Sequence, residues 1–156
     1  MLGSDPSALL GAMTSNGRVF LVNPAGILVG QGARIDVAGF VAFTLNLSNA
    51  DFLANKLSFG ATLNVGAIKN DGSITTPEGG SVYLVAPQVE NNGIINTPTP
   101  GVSVQVTGSS NTATNLGQIL ADSGRIGMVG AVVRNTGTVR SNLKRYRTGY
   151  FICSLH

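Results

Sequence analysis

A chain of 156 residues is long enough for one domain with its own core, and a single cysteine excludes both an internal disulfide and a cysteine-built structural metal site. Only 11% of the residues are charged and 21 are glycine, with Asn, Ser, Thr and Val abundant among the rest, a mixture that suits strands and turns better than helices. The net charge of +3 comes from the end of the chain: up to residue 139 six basic residues face seven acids (6 − 7 = −1), and Arg140, Lys144, Arg145 and Arg147 form one short run that reads as a solvated tail, so no nucleic-acid partner is expected.

In chain order, "SDPSALLG" predicts a short helical turn capped by Asp5, with Pro6 in its first position. The start "MLGSDPSALLGAM" has neither the basic opening nor the long apolar core of an export signal. Two apolar runs, "RVFLV" and "GILVG", then flank "NPAG". This is a turn: Asn23 opens it with its side chain, Pro24 presets the next φ, and Gly26 supplies a left-handed position. No lysine follows the glycines at 26, 30 and 32 at phosphate-loop spacing, and "GQGARIDV" runs into a strand, so nucleotide binding is not expected.

In "GFVAFTLNL", Val41, Phe43, Leu45 and Leu47 alternate on one face of a strand. "SNADFLANKL" predicts one helical turn, with Ser48 as cap and Asp51 three residues on.

From about residue 65 a motif recurs: "NDGSI" from Asn70, "NNGII" from Asn91, "NLGQI" from Asn115 and "NTGTV" from Asn135. The spacings are 21, 24 and 20 residues, the period of a solenoid. Within a period apolar residues alternate, as with Val82 and Leu84, with Val102, Val104 and Val106, and with Ile126 and Met128, so the coils are built of strands. Two residues before each Asn stands Ile68, Val89, Ala113 or Val133. Coils stacked about 4.8 Å apart would pair each strand in parallel with its counterpart and line the aliphatics into one core. The expected fold is all-β, a parallel β-helix with about 20–24 residues per coil. Asn70, Asn91, Asn115 and Asn135 fall on one corner, either as a hydrogen-bonded ladder or as turn formers only.

The stretch "SNGRVFLVNPAGILVGQGARIDVAGFVAFTLNLSNADF" closely resembles the haemagglutination-activity, or two-partner secretion, domain of filamentous-haemagglutinin-like exoproteins of Gram-negative bacteria. The resemblance implies a right-handed β-helix over residues 1–142, N-terminally truncated, with 143–156 as an off-pattern basic tail, disordered or frameshifted. It implies a non-catalytic secretion signal of an adhesin or other exoprotein, recognised by an outer-membrane β-barrel transporter. Further downstream regions would meet a host or neighbouring cell surface, and no cofactor or metal is implied. The exoprotein would be secreted or held at the cell surface, whereas the chain as written would stay in the cytoplasm.

The family's signature Asn-Pro-Asn-Gly-Ile is matched by Asn23, Pro24, Ala25, Gly26 and Ile27, with Ala25 departing, and its upstream Asn-Pro-Asn-Leu has no copy here. Phe43 stands where the family usually has Ser. Two rival readings are a polysaccharide lyase or hydrolase on the same fold, with Arg125 and Arg134 on neighbouring coils, and a non-functional remnant of an exoprotein gene. The acids are scattered singly and His156 ends the tail, which gives catalysis little to work with.

Overall fold

The computed structural model describes residues 5–44, 46–47, 59–60, 65–98, 102–105, 112–122, 126–129, 132–142 and 151–154. Every regular element among them is a strand. The first six are β1 (Ser7–Leu9), β2 (Ala12–Val22), β3 (Ile27–Val29), β4 (Arg34–Phe43), β5 (Asn46–Leu47) and β6 (Phe59–Gly60). There follow β7 (Ile68–Asn70), β8 (Ser73–Thr75), β9 (Ser81–Val85), β10 (Gln88–Asn91), β11 (Ile94–Thr97) and β12 (Val102–Gln105). The last are β13 (Thr112–Asn115), β14 (Gln118–Asp122), β15 (Ile126–Val129), β16 (Val132–Asn135), β17 (Thr138–Asn142) and β18 (Phe151–Ser154).

Each repeat contributes three short strands, and each strand pairs in parallel with its equivalent one coil away, which makes the fold a parallel β-solenoid. One face runs β1-β3-β7-β10-β13-β16. The other two faces form a single sheet, because β4 continues unbroken around a corner: Arg34–Asp36 pair with β8 while Gly39–Phe43 pair with β9. The short β5 and β6 pair with each other, antiparallel.

Register places like on like. Ile27, Ile68, Val89, Ala113 and Val133 form one inward column, and Ile35, Ile74, Ile95, Ile119 and Val139 form another. The members of both columns up to residue 119 are buried in one continuous core. Each fully buried aliphatic contributes about 1.5–3 kcal/mol, so regular stacking rather than local propensity holds the coils. The glycine of each repeat answers a steric demand. A Cβ on Gly93 would run into the Gly72 carbonyl oxygen, one on Gly117 into that of Gly93, and one on Gly137 into that of Gly117.

Three expectations change. Ser7–Leu9 is a strand rather than a helical turn, because it pairs with Ile27–Val29, and tertiary pairing outweighs the local capping pattern. Stacking also starts well before the Asn repeat: β3 and β4 already lie in register with β7, β8 and β9. In β4 the solenoid core takes Phe40 and Ala42. Val41 and Phe43, on the other face, form a separate cluster with Val85, against which Val65 packs. The basic tail is not wholly off-pattern, since Phe151–Ser154 pair with Ile126–Val129 and so add a strand to the last coil. The helical turn expected at Ser48–Asp51, and Leu45 and Val106, lie outside the described residues.

Candidate functional site

Asn23 sits at the end of β2, 3% exposed, with its polar atoms spoken for. Its N–H donates to the Phe43 carbonyl (3.0 Å). Its side-chain Oδ1 accepts the Ala25 N–H (2.9 Å), and its main-chain carbonyl accepts the Gly26 N–H (3.1 Å), closing the four-residue turn. Pro24 cannot donate and has nothing to lose there. Gly26 has φ 127°, a conformation that other residues adopt only with strain.

The turn is clamped from both sides. Toward the chain start, Nδ2 of Asn23 donates to the Asp5 carbonyl (3.0 Å) and to Ser7 Oγ (2.9 Å), and the Ser7 N–H donates to the Gly26 carbonyl (2.9 Å). Toward the next coil, the Pro24 carbonyl accepts the Gly66 N–H (2.8 Å), and the Ile27 N–H donates to the Ala67 carbonyl (3.0 Å). Ile27 is buried, Ala25 half-buried and Pro24 exposed, so the turn displays Pro24 while anchoring through its neighbours. A largely apolar cavity of about 370 Å³ lies beside it, lined by Pro6, Leu9, Leu21 and Asn23 among others. The reach from Asn23 to Asp5 and Ser7 spans 18 and 16 residues, and no local sequence signal announces it.

On another corner the four repeat asparagines stand in register. Nδ2 of Asn70 donates to Oδ1 of Asn91 (2.7 Å), Asn91 to Asn115 (2.8 Å), and Asn115 to Asn135 (2.8 Å). The first three are buried, and Asn135 on the last coil is exposed. Between the two sequence readings of this corner, ladder and plain turn, the geometry is that of a ladder.

Among the described residues, the outer surface carries a polar knot that no local sequence pattern announces. Lys69 Nζ lies 3.6 Å from Asp71 and 3.7 Å from Glu90. The Asn92 amide donates to the same two carboxylates, at 2.8 and 2.7 Å. Arg134 is exposed and in register with Thr114 rather than with an acid, and Arg125 lies outside the described residues.

Among the described residues, then, the site is a parallel β-solenoid with a clamped turn at one corner and an asparagine ladder at another. The particular family follows from comparison. The profile of the TPS secretion domain matches residues 1–144, and the chain belongs to that family. The HMW1 secretion domain from Haemophilus influenzae, known from a crystal structure, superposes with a TM-score of 0.91 at 31% identity, over 97% of this chain and 46% of that one. The heme/hemopexin-binding protein of Haemophilus influenzae strain Rd is 29% identical over 147 residues, covering 89% of this chain and 16% of that protein. A second heme/hemopexin-binding protein of Haemophilus influenzae is 39% identical over 59 residues, 38% of this chain and 6% of the relative. The chain thus spans about a sixth or less of the curated relatives it matches. It is a secretion-signal domain of a two-partner exoprotein, a class that works with an outer-membrane transporter, and its relatives are secreted or surface-associated.

Proposed function

We propose that the turn Asn23-Pro24-Ala25-Gly26-Ile27 is the element through which this domain is exported, either read directly by the transporter or needed to seed the solenoid that follows. The observation carrying this is the position of Asn23: one buried amide ties the segment before it, the turn itself and, through Pro24 and Ile27, the next coil. The domain acts by being bound rather than by turning over a substrate. Its outer charges support that reading, because Lys69, Asp71 and Glu90 are engaged with one another. Residues 1–142 form the domain, and the exoprotein it serves reaches the cell surface or medium. Contacts with host or neighbouring cells belong to other regions of that exoprotein.

The experiment places Asn23→Ala and, separately, Ala25→Asn in an intact secretion domain beside its transporter and measures exoprotein in the medium. Asn23→Ala should cut secretion, since it removes the turn bond and strands the Asp5 and Ser7 partners. Ala25→Asn should hold or raise it. Unchanged secretion for Asn23→Ala, at normal intracellular levels of both proteins, would make the turn ordinary scaffold. On a polysaccharide panel the purified domain should show no turnover, and activity abolished by Arg125→Ala would overturn the binding role.

A further inference from the structure

The sequence holds two Asn-Gly pairs, Asn16-Gly17 and Asn92-Gly93, and the fold treats them in opposite ways. In β2 the register slips between Ser15, paired with Val37, and Arg18, paired with Gly39, so two residues of β2 oppose one of β4. Asn16 and Gly17 are those two, a bulge left out of the ladder on a strand that, among the described residues, pairs with β4 alone. Asn16 is exposed, and the Gly17 N–H donates to Ser15 Oγ at 3.1 Å, in an exposed bond. Only that same Ser15 Oγ, at 3.6 Å, comes near the place a Gly17 Cβ would take.

Asn92-Gly93 is locked. The Gly93 N–H donates to the Asn70 carbonyl (2.9 Å), the Asn92 amide is held by Asp71 and Glu90, and Gly93 is wedged against Gly72.

We propose that Asn16 is a site of spontaneous covalent modification in the folded protein, with water as the only co-reactant, and that Asn92 is shielded from it. The Gly17 main-chain nitrogen gives its proton to solvent base and attacks the Asn16 side-chain carbonyl carbon. A five-membered succinimide closes as the new bond from Cγ to the Gly17 nitrogen forms and the Cγ–Nδ2 bond of Asn16 breaks, and Nδ2 takes a proton and leaves as ammonia. Water then opens either ring carbonyl, giving aspartate or isoaspartate at position 16. The extra main-chain methylene of isoaspartate falls where the strand already carries a spare residue. Glycine is the right follower because it has no Cβ to block the attack.

The test incubates the full chain, folded and in urea, at mildly alkaline pH in heavy-oxygen water, with peptide mapping of both sites over time. Folded protein should convert Asn16 roughly tenfold or more faster than Asn92, which needs local opening first, whereas in urea the two rates should converge. Gly17→Ala, which the open space tolerates, should slow Asn16 about tenfold or more by hindering the nitrogen. Equal rates at the two sites in folded protein, a gap that persists in urea, or indifference to Gly17→Ala would each overturn the proposal.

Discussion

At the scale of single residues, the structure ranks polar groups by what happens when a partner is taken away. Asn91 gives and receives within the ladder, so Asn91→Ala leaves Asn70 Nδ2 and Asn115 Oδ1 buried without each other's relay. Each stranded group costs about 1–3 kcal/mol, so urea denaturation should show a loss well above that of Asn135→Ala, whose site is open to water. Thr97 presents the reverse case. Its hydroxyl is fully buried and has no hydrogen-bond partner in the protein, as do those of Thr44 and Thr76. Thr97→Val keeps the shape and removes the unpaired group, and should stabilise the domain by about 1–2 kcal/mol, read as a raised thermal midpoint. A destabilised Thr97→Val would point to a water bound there.

Strands and turns are governed by spacing between coils. Gly32 has φ 82° with open space around it, so Gly32→Ala pays only the left-handed penalty of about 1–2 kcal/mol. Gly93→Ala meets the Gly72 carbonyl and must push two coils apart, at about 3 kcal/mol or more. Comparing the two urea midpoints checks the order, and equal losses would mean that the coils slide easily. The same spacing explains what could be read in advance. Four "NxGx" turns and the alternation around Val82 and Leu84 declare strands, because the period is written in consecutive residues. Ser7–Leu9 misleads because its strand state is imposed by β3, 20 residues away, against a local pattern that favours a helical start. In β4 both faces are apolar, so alternation alone does not say which one, Phe40 and Ala42 or Val41 and Phe43, turns to the core.

The whole molecule is a stack in which each coil touches mainly its neighbours, so removing the last one should leave the others standing. Deleting residues 132–156 should keep a strand-dominated circular dichroism spectrum while lowering both the urea midpoint and the slope of the transition, in line with the smaller surface buried. Complete loss of structure would show that the coils fold only as one unit. The architecture was legible because repetition is a one-dimensional signal. The Asn23 clamp was only half legible: its turn is local, but its grip on Asp5 and Ser7 is a long-range contact. The Asn ladder also has a polarity. Every amide donates from one coil to the next in chain order, so the column is a row of aligned dipoles with an N–H donor at its leading end. A following coil therefore meets a chemical question at Asn135: one that brings an oxygen to that corner extends the row, and one that brings a methyl group breaks it. The corner thus works as a one-way gauge, setting the position at which any added turn of chain can settle.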